Sequence, residues 1–136
     1  MGRRFGKVLI VPCSGSDRAC GLLAREAALV VVEELRPNAS DAVCLASLAV
    51  GDAEAREKAR SLPTIAVDGC SEGCASSIVK SARAGPTVSL CVADRLGGRA
   101  IPPGLNVGWV DDTRVAWSLA LEIAVQVDEI MEALGW

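Results

Sequence analysis

Three stretches of the chain are apolar almost throughout and too short for helices. Lys7–Pro12, Thr64–Val67 and Thr87–Val92 are rich in β-branched residues and bounded by Gly, Pro, Asp or Ser. Such runs read as strands buried on both faces. Between the first two, Ser14–Arg18 reads as a turn and Ala19–Leu35 as a helix ended by Arg36-Pro37-Asn38. Asp41–Leu45 is a weaker strand, and Asp52–Arg60 is a charged helix introduced by Gly51-Asp52. Ser71–Ala84 is a helix closed by Gly85-Pro86. Arg95–Leu105, with Gly97-Gly98 and Pro102-Pro103-Gly104, is a long loop, and Asn106–Val110 is a last short strand. Asp111-Asp112-Thr113 supplies N-cap chemistry for a helix running to about Leu134.

Strands alternate with helices, and the clear strands do not alternate apolar with polar. That combination predicts a small three-layer α/β domain, with a mostly parallel sheet of about four or five strands and helices on both faces. Right-handed crossovers follow from strand twist, but the pattern leaves the strand order open. No linker, repeat or low-complexity tract divides the 136 residues, so residues 1–136 are expected to form one domain. The last helix has a narrow polar stripe, Arg114, Ser118, Glu122 and Gln126. Trp117, Leu121, Ile123, Val127, Ile130 and Leu134 cover more of its circumference than one sheet contact buries, which predicts a homo-oligomer, most simply a homodimer.

Composition narrows the chemistry. The net charge is −3 and the pI about 5.0, so no basic excess is present to neutralise phosphates, and no nucleic-acid partner is expected. Histidine is absent, which removes imidazole acid–base chemistry, the Ser-His-Asp triad and His-containing metal sites together. Tyrosine is absent as well. The run Val8-Leu9-Ile10-Val11 is cut by Pro12 and is too short for a signal sequence, and no apolar stretch is long enough for a membrane helix. The protein is therefore expected in the cytoplasm, without a membrane partner. There its six cysteines serve as thiols, metal ligands or redox groups rather than as structural disulfides.

The cysteines do not fall at random. Cys13 follows the first strand, Cys44 lies near the end of the second, Cys70 comes two residues after Asp68 at the end of the third, and Cys91 is near the end of the fourth. In an open parallel sheet these strand ends share one edge, where ligands bind. Cys70 and Cys74 are four apart, which puts both sulfurs on one side if both are helical. Gly69 and Gly73 keep the backbone around them open. The N-terminal turns of the helices offer N–H groups that offset part of the thiolate charge. Cys91, within an apolar strand, and Cys20, in the first helix, read as packing residues. Asp68 reads as a turn former or helix cap, or as an acceptor beside a metal, and Gly69 shares that setting. Cys13 and Arg18 lack the spacing of a phosphatase loop, and no glycine-rich phosphate loop is present.

Val67-Asp68-Gly69-Cys70 followed by Cys74-Ala75 resembles the signature of the DGC-domain family, whose members are described as zinc-binding. Val11-Pro12-Cys13-Ser14-Gly15 and Val43-Cys44-Leu45-Ala46 resemble that family's two other cysteine blocks, in order, over roughly Lys7 to Val92. The signature cysteine is often followed by Pro, and Ser71 stands there in this chain. The resemblance implies one metal site built by Cys13, Cys44, Cys70 and Cys74; from their own position, Asp68 and Gly69 are expected beside it, outside the ligand set. It implies no reaction. Three functions remain open on the residues: a structural or sensing zinc module, a thiol- or persulfide-transfer enzyme using Cys13 or Cys70 as nucleophile, and an iron–sulfur protein on the same thiolates. The zinc module is the leading expectation, and an enzyme is not.

Overall fold

The first strand, β1 (Val8–Pro12), sends Val8 and Ile10 to one side of a sheet and Leu9 and Val11 to the other, all four fully buried. A run buried on both sides must be apolar at every position, which is what made it legible. In this computed structural model, residues 6–13, 19–69, 73–82, 88–92 and 113–135 are described. Helix α1 (Ala19–Val30) continues into a wider turn over Val31–Leu35. Then come β2 (Ser40–Ala42), α2 (Leu45–Ala49), α3 (Ala53–Ser61), β3 (Thr64–Asp68), α4 (Cys74–Ala82), β4 (Val88–Cys91) and α5 (Thr113–Leu134).

Among the described residues the sheet has four strands in the order β2-β1-β3-β4, and every pairing is parallel. The step from β1 to β2 runs one way across the sheet, and the steps to β3 and β4 run the other way. Right-handed crossovers then place α1 on one face and α2, α3 and α4 on the opposite face. The buried clusters agree. Val8, Ile10, Ile65 and Val67 pack with Leu23, Ala27, Ile123 and Val127 of α1 and α5. Leu9, Val11 and Ala66 pack with Leu48, Ala59 and Val79 of α2, α3 and α4. This is the three-layer α/β architecture the pattern predicts.

Three details differ from the expected elements. The second strand ends at Ala42, and Leu45 already belongs to α2, because Leu45 and Leu48 bury one helical face against the second layer. Helix α4 begins at Cys74 rather than at position 71, since Gly73 sits at φ +66°, which a right-handed helix does not continue through. The four-residue spacing of Cys70 and Cys74 is therefore not a relation within one regular helix. On α5, Ile123, Val127 and Ile130 are buried in the domain's own core, while Trp117, Leu121, Val125 and Leu134 remain exposed. The expected loop Arg95–Leu105, the strand Asn106–Val110 and the caps Asp111 and Asp112 lie outside the described residues. No helix among the described residues is long and apolar enough to cross a membrane.

Candidate metal centre at the sheet edge

The strand order creates a switch point between β1 and β3, the place where connections diverge and open α/β sheets bind ligands. Cys13 stands at this point: its N–H donates to the Val67 carbonyl at 2.8 Å, so the β1–β3 ladder runs one residue past the strand. On the other side of β1, the Val43 N–H donates to the Ile10 carbonyl at 3.2 Å, and Cys44 follows directly. Asp68 is in register with Cys91. The C-terminal edge thus carries Cys44, Cys13, Asp68 and Cys91 in spatial order across the strands. Cys74 reaches the same region from the start of α4. Cys70, with the rest of residues 70–72, lies outside the described residues, as do Asp17 and Arg18. Cys20 is in the first turn of α1.

Each described thiol has a different setting. Cys13 is half-buried and packs against the α1–α5 side of the core. Cys44 and Cys74 are exposed. Cys91 is half-buried. Cys44 is the residue from which α2 starts, in extended conformation, with no cap hydrogen bond closed at ordinary geometry. The backbone N–H groups of Ser47 and then Ala46 still hold its pKa below the ordinary thiol value. The Ser47 hydroxyl and Arg25 add to this, against a partial opposing effect of burial. A pocket of about 230 Å³ opens beside it, lined among others by Ser47, Asp52, Glu54 and Lys58. Lys58 is engaged there by Asp41 at 3.2 Å and Glu54 at 3.8 Å.

Asp68 is buried at 4% exposure and is the cap of α4. Its Oδ1 accepts the Ala75 N–H at 2.7 Å and the Ser76 N–H at 3.3 Å, and its Oδ2 accepts the Ser76 hydroxyl at 2.6 Å. The capping carboxylate thus comes from the end of β3, six positions before the helix starts. Gly69 is buried beside it, and a Cβ on Gly73 would lie 3.9 Å from Asp68 Oδ2. Both carboxylate oxygens bond the first turn of α4, so Asp68 fixes the turn that carries Cys74.

Among the described residues no three Cys, Asp or Glu side chains stand close enough to hold a metal ion. Cys13, Cys44 and Cys74 share an edge without converging on one point. Helix α2, whose start positions Cys44, stands where the strand Asp41–Leu45 was expected to end, although the buried pair Leu45 and Leu48 at i, i+3 carried its signal. Ser76 and Ser89, whose hydroxyls meet at 2.6 Å, carried no such signal.

A doubly wound parallel sheet with thiols along its switch edge defines the class of this domain. The sequence matches the DGC domain over residues 9–100, well over half the chain, and the chain belongs to the DGC-domain family. No curated protein and no solved structure matches the chain.

Proposed function

We propose that the thiol edge binds a metal ion, and that the ion is zinc held by Cys13, Cys44, Cys70 and Cys74. The observation that supports this most is topological. The strand order carries Cys13 and Cys44 to adjacent positions on one edge, and the Asp68 cap brings the start of α4 to the same edge. Membership of the DGC-domain family supports a metal-binding role on the same cysteines. The donor set suits zinc, a borderline-soft ion that takes thiolate sulfur, and it suits an iron–sulfur cluster as the second reading. The described thiols stand apart, so binding would draw three chain segments together and couple metal affinity to folding. Four thiolates carry excess negative charge. The Ser47 and Ala46 N–H groups, which lower the Cys44 pKa, offset part of it.

A closed four-thiolate site leaves no open position for water, so the role is structural or sensing rather than hydrolytic. The setting is the reducing cytoplasm, where such thiols stay available. Single Cys→Ser changes at the four positions test the reading: each lowers bound zinc sharply, and a brown protein in place of a colourless one indicates the cluster instead. If metal-free protein keeps its melting temperature and Cys13 or Cys70 alone alkylates rapidly, the thiol- or persulfide-transfer reading replaces it. The protein also pairs with a second copy through the outer flank of α5, where Trp117, Leu121 and Val125 are exposed at four-residue spacing. Light scattering should report twice the 14.1 kDa chain mass at tens of micromolar, on the order of concentrations where weak dimers persist.

A further inference from the structure

Helix α4 starts at Cys74, and residues from both neighbouring strands hold its first turn. Asp68 of β3 takes the Ala75 and Ser76 N–H groups at 2.7 and 3.3 Å and the Ser76 hydroxyl at 2.6 Å. The single hydroxyl proton of Ser76 goes to Asp68, so the 2.6 Å contact with Ser89 of β4 is a bond that Ser89 donates. The result is a continuous tie, Ser89 to Ser76 to Asp68, that joins β4, α4 and β3. Ser76 is two residues from Cys74, and the Ala75 N–H bond fixes the peptide group that follows Cys74 directly.

We infer that Ser76 and Ser89, acting through Asp68 and the first turn of α4, are positioning residues that set where Cys74 is presented and so set the metal affinity of the edge. This inference rests on the reading of that edge as a metal site. Neither hydroxyl is a ligand. Their effect is on the start of α4: with its first turn already fixed, less backbone freedom is lost there when a metal draws the three segments together. Groups bonded directly to a metal ligand typically change affinity by about 10- to 100-fold when removed, and Ser76, which acts one bond further back, belongs at the lower end of that range. Ser76 is the central link of the tie. Ser89 is exposed, so water substitutes for it in part.

The test is competition for zinc against a chromophoric chelator, at a temperature well below the melting point of every metal-free variant. Ser76→Ala should weaken zinc binding about tenfold, and Ser89→Ala by less. Ser76→Thr, which keeps the hydroxyl, should restore most of the affinity. A purely structural role for the tie would lower the metal-free melting temperature and leave affinity unmoved while the protein is folded. Wild-type affinity in Ser76→Ala, or a Ser76→Thr variant as weak as Ser76→Ala, overturns the inference alone. Wild-type protein that takes up no zinc overturns the metal reading and the inference with it.

Discussion

Replacing Asp68 by Ala removes the acceptor for three donors at once, and the cost can be worked from those bonds. The Ala75 N–H is buried, and its partner at 2.7 Å is lost; the Ser76 N–H loses a longer bond at 3.3 Å. Loss of a helix cap costs about 1 kcal/mol, and each further buried donor left without an acceptor adds about 1 kcal/mol or more. The Ser76 hydroxyl adds little, because it can turn to Ser89. The total is about 2–3 kcal/mol. With unfolding entropy near 2.1 cal/mol/K per residue, 136 residues convert this to a fall of roughly 7–10 °C in melting temperature. Asp68→Asn separates geometry from charge. Its carbonyl still accepts both N–H groups, and its amide donates to Ser76, so the cost should stay near or below about 1 kcal/mol. Urea unfolding of metal-free protein, with chelator present, measures both variants without a ligand contribution. An Ala variant within about 0.5 kcal/mol of wild type, or an Asn variant as unstable as the Ala variant, would refute the cap assignment.

Gly73→Ala should cost about 1 kcal/mol because residue 73 sits at φ +66°, while the new Cβ meets Asp68 Oδ2 at an ordinary 3.9 Å; Gly73→Asn, which tolerates this conformation better, should cost less in the same urea titration. Arg36 donates to both oxygens of Asp128, at 2.8 and 2.7 Å, and this bond holds the Asp128 pKa below its ordinary value. The stabilisation from that pair is present above the ordinary carboxylate pKa and is lost as pH falls through the lower folded value. With Asp128 54% exposed it amounts to less than about 1 kcal/mol, so Asp128→Asn should flatten the acid limb of stability only slightly. Cys20→Ser and Cys91→Ala should each leave metal content at the wild-type level by elemental analysis; stoichiometric loss in Cys20→Ser would reassign the ligand set.

How much the chain reveals of its fold depends on where each constraint originates. β1 and β3 are legible because both faces are buried, so Val8 through Val11 and Ile65 through Val67 must all be apolar. α5 is legible at both ends, running Thr113–Leu134 as its pattern predicts. β2 is three residues, Ser40-Asp41-Ala42, and exists as a strand because it pairs with Val8, Leu9 and Ile10. No local pattern fixes that length. α2 was hidden because its first residue is preceded by Cys44, which lacks the oxygen that marks an N-cap. The edge location of Cys13, Cys44 and Cys91 could be read from strand ends alone, since parallel strands share one C-terminal edge. The strand order could not, and it is what makes Cys13 and Cys44 neighbours. The capping role of Asp68 was legible from its place before the helix, but the Ser76–Ser89 link was not, because Ser89 meets that helix from another strand.

The thiol edge is proposed to hold one zinc ion per chain. Elemental analysis of protein purified without added metal, combined with X-ray absorption at the zinc edge, tests it directly. One zinc per chain with only sulfur neighbours, at about 2.3 Å, is the expected result. Metal-free protein that stays folded and gains no stability from added zinc would contradict it, as would zinc bound through oxygen ligands.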